Sequence, residues 1–433
     1  MFRFGIDEKK ITPEVGMNLP GYFNFRPSER ILDELYAKAC AFDDGENEFI
    51  HIVCDAVDMY YEDMNKIRRA VSDKTGLSTD NISVSVTHSH TAGPTWGWFD
   101  RYSSDESYME YLISQATLAA VGAHEARKPA RLGFSVGTLE NTAFIRRYHL
   151  KDGTFSTNPP ADRILRAETE PDNTFILIKI EDVNGKLVAL IENFANHADS
   201  VGLNVVSADY PGEVARLVRE KYGDDVFNVF INSAAGDVNH LNPFDKTTYA
   251  PEYHKTVAKK IAGKIFSETD KIETSGDVCV IPKTLYFDVK TRKPSIKNYE
   301  TGKRILNGED VSFEGYDDSQ SGRYVFATAA VECGDSKVEK IRVEIKTLKL
   351  GELYFVFWPG EVFCEFAKKI RAEFPERTIA VSAQANTTFD CYIPSREGFK
   401  NGGYEPRESV PVMAEKDAGY IVADKTAELL KSY

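Results

Sequence analysis

The hydrophobic pattern changes its period along the first quarter of the chain. Residues 81–86 alternate apolar and polar side chains, which predicts a β-strand, and residues 49–54 form a continuous apolar run typical of a buried strand. Between them, residues 62–75 carry apolar side chains at helical spacing and stop at Gly76. A strand, a helix and a strand in this order predict two parallel strands joined by a helical crossover.

The same signals recur to the end of the chain. Patterned runs predict helices at 107–126, 210–222 and 412–430, strands at 226–231 and 378–382, and hairpins at 174–191 and 343–357. Residues 290–340 are more polar and carry Gly and Ser, so we expect an inserted loop or small subdomain there. We therefore predict an α/β fold with mixed β-sheets flanked by helices, as one domain over residues 1–433 or as two closely packed lobes.

The composition and net charge limit the kinds of molecule that this protein would bind. The 433 residues are 42% hydrophobic and 28% charged, with a net charge of −14, so nucleic acid and an anionic membrane surface are disfavoured. The first residues carry no apolar signal core, and no apolar run is long enough for stable membrane insertion. We expect a cytoplasmic protein whose six cysteines are free thiols. We expect it to act on a small-molecule substrate, and its sequence is compatible with a homo-oligomer.

Two histidines lie where the strand of residues 81–86 ends. His88 and His90 are two positions apart, so along an extended chain they face the same side. They could both bind one metal ion, or one could bind the metal while the other transfers a proton. For an isolated His-x-His motif, two loop histidines that only form hydrogen bonds are the simpler explanation. His197 also follows a predicted strand and adds a third imidazole at a strand end.

Five short motifs, in order, resemble the neutral (non-lysosomal) ceramidase family. They are Thr87-His88-Ser89-His90 with Gly93-Pro94, Asn196-His197, Gly236-Asp237-Val238-Asn239, Pro359-Gly360-Glu361, and the tyrosines Tyr392 and Tyr404. The opening, with Ile11-Thr12-Pro13 and Gly21-Tyr22, is similar to the family's first strand and loop. Each motif is short, but their shared order is specific. The resemblance covers most of the chain and implies the family's catalytic-domain fold.

The resemblance also implies a zinc site. Zn²⁺ would be bound by four residues of this chain: His88, His197, Glu361 and Tyr392. Two imidazoles and a carboxylate are the usual composition of a hydrolytic zinc site with a position open for water. Three more residues would act beside it: His90 in proton transfer, and Arg146 and Tyr404 in stabilising the oxyanion.

Three further residues are candidates for substrate binding. Arg147 is interchangeable with Arg146, because the alignment to the family arginine is loose there. Asn239 occupies the position of a family serine and is followed by His240; the two either contact the substrate or only brace their loop. A serine nucleophile at that position is excluded, and no Gly-x-Ser-x-Gly elbow is present, so water is the consistent nucleophile.

The expected function is therefore zinc-dependent hydrolysis of an amide (C–N) bond. The polar segment 146–153 favours a small hydrophilic or anionic substrate over a long acyl chain, and the chain leaves no room for the immunoglobulin-like C-terminal domain of the secreted ceramidases. One alternative keeps the metal site but cleaves an ester, lactone or glycosidic bond. Another is a non-catalytic ligand-binding relative, against which the retention of every proposed metal position and of His90 argues.

Overall fold

The structure, a computed structural model, describes residues 1–97, 104–313, 320–389 and 391–433. In chain order the strands of these residues are β1 (Arg3–Lys10), β2 (Arg30–Ile31), β3 (Tyr36–Asp43), β4 (Glu48–Cys54), β5 (Ile82–Val86), β6 (Lys128–Thr138), β7 (Phe144–Ile145), β8 (Arg147–Leu150), β9 (Phe155–Thr157), β10 (Ile164–Ala167), β11 (Thr174–Asp182), β12 (Leu187–Phe194), β13 (Val205–Val206), β14 (Phe227–Asn232), β15 (Val238–Asn239), β16 (Val280–Arg292), β17 (Lys340–Leu350), β18 (Leu353–Phe357), β19 (Glu361–Val362), β20 (Thr378–Ser382), β21 (Tyr392–Ile393) and β22 (Met413–Ala414). The helices are α1 (Tyr61–Thr75), α2 (Glu106–Glu125), α3 (Asp209–Tyr222), α4 (His254–Glu268), α5 (Ile296–Leu306), α6 (Gln320–Asp335), α7 (Cys364–Glu373), α8 (Arg396–Asn401) and α9 (Ala418–Lys431).

The largest sheet has eight strands in the order β14-β12-β11-β6-β1-β3-β4-β5. Its pairings are mixed: β4 runs parallel to β5, and β12 runs parallel to β14, whereas the central strands are antiparallel. Helix α1 connects β4 to β5, so the predicted parallel crossover is confirmed. Parallel neighbours end at the same edge of a sheet. The loop after β5 therefore lies beside the loop after β4, and the loop after β12 lies beside the loop after β14, so side chains of each pair can converge.

A second sheet, of five strands in the order β20-β18-β17-β16-β22, packs against the first. The interface between the sheets is an apolar core that includes Phe42, Ile178, Leu348 and Phe355. Helices α1 and α2 cover part of the large sheet, α3 and α4 cover the rest, and α7 and α9 cover the small sheet. The predicted α/β class with mixed sheets flanked by helices is confirmed. None of the helices in the described ranges is both long enough and apolar enough to cross a membrane.

The segment after β20 joins the two edges of the large sheet. The backbone N–H of Ala383 donates to the carbonyl of Asn232, where β14 ends, and the N–H of Asn386 donates to the carbonyl of Val84 in β5. A further bridge pairs Ser89 with Ala198. The loops that follow β5 and β12 are therefore neighbours, although these strands are far apart in the sheet order.

Two regions differ from the sequence patterns. The final helix begins at Ala418 rather than near residue 412, because Met413 and Ala414 pair with β16 instead. The polar region 290–340 contains helices α5 and α6 between the paired strands β16 and β17, and its residues 314–319 lie outside the described ranges. Val325 and Phe326 of α6 pack against the loops around the strand ends, so this region borders the site described next.

Candidate metal centre and catalytic cleft

His88 is fixed at the end of β5 by an unusual backbone and a backbone partner. Its φ is 64°, in the left-handed region that a non-glycine residue rarely adopts and that often marks functional sites. Its Nδ1 donates to the carbonyl of Val57, 2.6 Å away, in the loop after the neighbouring strand β4. The other ring nitrogen, Nε2, is therefore directed to the interior with a free lone pair whenever the ring is neutral.

His197 is held in the same way from the opposite edge of the sheet. It follows β12, and its Nδ1 donates to the carbonyl of Val238 at 2.8 Å. Its ring centroid lies 4.4 Å from that of His88, with the two ring planes at 87°. An imidazole that binds a metal almost always donates its second N–H to a carbonyl or carboxylate, which sets the tautomer. Both histidines have that arrangement.

Glu361 meets both imidazoles. It lies in the short strand β19, where its register partner is Tyr392 of β21. Its Oε2 lies 3.3 Å from Nε2 of His88 and 3.3 Å from Nε2 of His197. Burial of this oxygen is complete, yet it accepts no hydrogen bond. The sequence motifs placed these residues far apart along the chain, and the fold brings all of them together.

His90 joins the cluster but is held differently. Its Nε2 lies 3.3 Å from Nε2 of His88, and one donor nitrogen from each of His88, His90 and His197 falls within a 4.8 Å group. Unlike the other two rings, it has a buried Nδ1 with no hydrogen-bond partner. Gly21 lies against that nitrogen so closely that a Cβ there would be 2.5 Å from it. Contact with Gly21, rather than a hydrogen bond at Nδ1, therefore orients this side of the His90 ring.

The donor set fits a divalent cation. Donor atoms bound about 2.0–2.1 Å from a tetrahedral ion lie about 3.3 Å from one another, which is the separation between Glu361 Oε2 and each of the imidazoles of His88 and His197. The lone pairs of His88 Nε2 and Glu361 Oε2 repel when no proton lies between them, and Oε2 is a buried acceptor without a donor, which is costly. A cation bound between them would remove both penalties, whereas Nε2 of His197 already faces a donor, Nη1 of Arg146.

Electrostatics within the cluster follow from burial and from Glu361. Burial opposes charging of His88, but the Glu361 carboxylate outweighs it and raises the pKa of His88 above its ordinary value. Burial, with Arg146 and His88 nearby, lowers the pKa of His197 to about 3. Burial and the two other imidazoles hold the pKa of His90 well below its usual range. Burial alone would raise the pKa of Glu361, but His88 and His197 depress it strongly. The site therefore attracts one positive charge.

Arg146 and two tyrosines border the cluster. Nη1 of Arg146 lies 3.0 Å from Nε2 of His197, its Nε donates to Glu405 at 2.8 Å, and its Nη2 donates to the carbonyl of Gly236. The centre of its guanidinium lies 5.1 Å from the ring centroid of Tyr392 and 6.0 Å from that of Tyr404. Burial raises the pKa of Tyr404, so its hydroxyl remains a proton donor.

The three residues expected at the substrate occupy different places. Asn239 lines the open cleft in front of the cluster, and its Nδ2 donates to Asn158 at 3.1 Å. Arg147 is fully buried behind the cleft wall, where it forms ion pairs with Glu168 and Glu405. His240 is 5% exposed and lies against Tyr253, beside the cleft lining rather than in it.

Several residues of the site escaped the sequence patterns. Glu405 is fully buried and connects Arg146 to Arg147; its position next to Tyr404 was the only signal of its role. Asp199 lines the cleft and accepts a hydrogen bond from Tyr22. Asp199 is two residues beyond His197, a spacing that could have suggested it. Nothing in the sequence pointed to the carbonyls that hold the histidines, because every residue has one.

Comparison with known proteins gives the family of this chain. Residues 2–256 match the family described as neutral/alkaline non-lysosomal ceramidase, N-terminal. The chain is 24% identical to neutral ceramidase B of Dictyostelium discoideum over 213 residues, which are 46% of this chain and 29% of that protein. It is 23% identical to neutral ceramidase A of the same organism over 42% of this chain and 26% of that protein. The chain thus matches less than a third of the length of these curated relatives.

Solved structures resemble the fold over nearly the whole chain. The neutral ceramidase from Pseudomonas aeruginosa superposes with a TM-score of 0.72 and 16% identity, covering 100% of this chain and 75% of that one. A ceramidase complexed with C2 superposes with a TM-score of 0.69 and 14% identity, covering 98% of this chain and 74% of that one. Because the family match alone spans more than half of the sequence, the chain belongs to the neutral/alkaline non-lysosomal ceramidase family, a family of hydrolases.

Proposed function

We propose that this protein is a zinc-dependent hydrolase that cleaves an amide (C–N) bond of a small polar substrate. The observation that carries the proposal is the meeting of two imidazole Nε2 atoms with one carboxylate oxygen, each 3.3 Å away, in a buried site. Both Nδ1 atoms donate to carbonyls, so the atoms that face inward are lone pairs in the neutral state. Such a set can hold a cation.

Four residues would hold the ion: His88, His197, Glu361 and Tyr392. When bound, zinc supplies Lewis acidity, which ionises water near neutral pH and polarises a carbonyl group. The pairing of Tyr392 with Glu361 across two short parallel strands supports its place beside the other three. Burial raises the pKa of Tyr392, so its phenol needs a neighbouring cation before it can ionise.

His90 would carry the proton instead of binding the metal. Metal-binding imidazoles are normally oriented by a hydrogen bond at the second nitrogen, and His90 lacks one. Its depressed pKa leaves the ring neutral, so its lone pair can take a proton from the attacking water and return it to the leaving nitrogen. Gly21 leaves space for the ring and fixes its position by contact.

Arg146 and Tyr404 would stabilise the oxyanion. Both line the open cleft, and Nη1 of Arg146 reaches within 3.0 Å of His197 Nε2, at the edge of the proposed metal position. A buried donor of this type contributes on the order of 3 kcal/mol to stabilisation of the transition state. Arg147 would support Arg146 through the shared Glu405, while Asn239 would contact the substrate in the cleft.

The test is turnover with controlled metal content. The full chain is stripped with a chelator, reloaded with zinc and assayed on N-acyl amides, esters and glycosides. We expect hydrolysis of amides that is lost on chelation and restored by about one equivalent of zinc per chain. Faster turnover of esters or glycosides would move the proposal to the alternative bond. No turnover by the loaded protein would leave a ligand-binding relative.

A further inference from the structure

Two spaces of very different size meet at the candidate metal centre. The open cleft has a volume of about 590 Å³ and is lined by His197 and Arg146, whereas a small cavity of about 30 Å³ is lined by His88 and Glu361. His90, Tyr392 and Tyr404 border both spaces. If a bond is cleaved at this centre, the group on one side of the bond would lie in the cleft and the group on the other side in the cavity.

Packed side chains line one side of the small cavity. Val57 and Trp96 line it, and both pack against Val325 of α6, which is 1% exposed. A cavity needs about 10–15 Å³ of this kind of volume to hold a single water molecule. The small cavity therefore holds about two water-sized groups, and a metal ion would take the place of one. Among the residues that the structure describes, the cavity space that remains beside the ion fits an acyl substituent no larger than a hydrogen atom or a methyl group.

The cleft has a polar wall with aromatic faces. Its polar side chains include Asp199, Asn158 and Asn239, and its aromatic ones include Tyr22 and Phe155. A long hydrocarbon chain laid along this wall would remove water from charged and amide groups without replacing their hydrogen bonds, which is costly. A ring-sized molecule that carries hydroxyl or amino groups can satisfy those groups and stack on the aromatic faces.

We propose that the substrate is a short-chain N-acyl amine, formylated or acetylated, whose polar amine portion occupies the cleft. The inference rests on the proposed amide hydrolysis. The acyl group belongs in the small cavity because Asp199, whose carboxyl oxygens accept hydrogen bonds, lies in the cleft together with Asn158 and Asn239, where these polar groups can pair with the hydroxyl or amino groups of the amine portion. Water gives its hydroxyl to the acyl carbon and its proton to nitrogen as the C–N bond breaks. The products are formate or acetate and the free amine.

The test compares acyl lengths on one amine. Zinc-loaded protein is assayed on N-formyl, N-acetyl, N-butanoyl and N-octanoyl glucosamine, and on the same derivatives of serine. We expect kcat/KM for the acetyl compound to exceed that for the octanoyl compound by at least about 100-fold on the preferred amine. Whichever amine is preferred, the sugar or the amino acid, identifies the source of the polar portion. Octanoyl turnover equal to or faster than acetyl turnover would overturn the proposal.

Variants locate the limit on acyl length. Trp96→Ala and the milder Val57→Ala enlarge the cavity and should raise the butanoyl-to-acetyl ratio of kcat/KM by about 10-fold or more. Phe155→Ala, on the cleft wall, is the matched control. It should lower kcat/KM by the same factor for every acyl length, so that the ratios do not change. Thermal unfolding identifies any variant that fails to fold, and Val57→Ala removes only two methyl groups. Unchanged ratios in a folded Val57→Ala variant would contradict the assignment of the acyl group to this cavity.

A binding measurement separates this inference from the proposed function. Acetohydroxamate and octanohydroxamate carry the same metal-binding group with different tails, and calorimetry of the zinc-loaded protein should show at least about 10-fold tighter binding of the shorter one. Amide turnover together with tighter octanohydroxamate binding would remove the length limit and leave the hydrolase. Absence of turnover on every amide and ester would remove the hydrolase, and this inference with it.

Discussion

Two buried charged clusters lie side by side in this protein and differ in one respect. In the arginine cluster, Arg147 donates to Glu168, to Glu405 and to the carbonyls of Gly398 and Gly402, so its charge is balanced by protein groups. The metal cluster consists of His88, His90, His197 and Glu361. In it, a buried oxygen of Glu361 has no hydrogen-bond donor, and Nδ1 of His90 has no partner. Protein groups satisfy Arg147 in the first cluster, whereas the second leaves these two buried atoms unsatisfied.

The difference teaches how to separate a structural ion pair from a binding site. Buried polar groups are satisfied in most of a native protein, so a buried carboxylate oxygen that has no donor and lies 3.3 Å from two imidazole nitrogens marks a site that can hold a cation. Arg146 links the two clusters, because its Nε donates to Glu405 while its Nη1 points to His197. The arginine cluster therefore orients Arg146, the side chain that we propose to act beside the metal cluster.

The largest effect should come from removing a metal ligand. His88→Ala deletes one of two anchored imidazoles, so we expect zinc content to fall from about one per chain to nearly none, and turnover to fall by at least about 10⁴-fold. Metal analysis by mass spectrometry measures the first and initial rates the second. His124→Gln, outside the site, is the control and should retain zinc. Full zinc occupancy in the His88 variant would contradict the comparison.

Replacing His90 should separate metal binding from catalysis. His90→Asn removes the proposed proton carrier, so we expect turnover to fall by about 10²–10⁴-fold while zinc content stays near one per chain. The pH profile of kcat should also lose one limb. Loss of zinc equal to that in the His88 variant would instead place His90 among the ligands.

Removing the hydroxyl of Tyr404 should have a smaller effect on rate. Tyr404→Phe deletes a single proposed oxyanion donor without a change in ring packing, and we expect kcat/KM to fall by about 10²-fold with zinc and melting temperature unchanged. A wild-type rate constant in this variant would show that Tyr404 only packs against Phe23 and Phe326.

Breaking the arginine cluster should affect stability more than metal binding. Arg147→Met leaves two buried carboxylates without their shared cation, so the free energy of unfolding should fall by about 3–5 kcal/mol while zinc is retained. Arg163→Met is the matched control, because Arg163 pairs with Asp152 with both side chains 52% exposed; there the change should stay below about 1 kcal/mol. Equal effects in chemical denaturation would contradict the distinction.

The sign of the pH dependence sharpens the comparison further. Burial would raise the pKa of Glu405, but Arg146 and Arg147 outweigh it and keep that pKa low, whereas burial raises the pKa of Glu192 to about 8. A carboxyl group with a raised pKa in the folded state stabilises the fold below its unfolded pKa, and that contribution is lost as the pH rises toward 8.

Glu192→Gln should therefore flatten the decline of stability between about pH 4.5 and 8, an effect on the order of 5 kcal/mol. Urea denaturation at several pH values measures it, with Glu309→Gln on the surface as the control. An unchanged pH slope in the Glu192 variant would show that this carboxylate is neutralised in some other way.

The sequence was sufficient for the frame of the molecule and for the residue types of the site. Periodicity located the crossover through α1 and the hairpins because these depend on local pattern. It failed for residues 413–414, where pairing with β16 overrides helical propensity. Short motifs identified His88, His197 and Glu361, but not Glu405, because its role depends on two arginines more than 250 residues away. The packing of Val325 against Val57 and Trp96, which line the small cavity, likewise depends on tertiary structure alone.

A crystal of zinc-loaded protein measured on both sides of the zinc absorption edge tests the central claim most directly. The account predicts one strong anomalous peak per chain, about 2.0–2.2 Å from Nε2 of His88, Nε2 of His197 and a carboxylate oxygen of Glu361. A fully loaded crystal with no peak among these three side chains, or with its peak elsewhere, would contradict it.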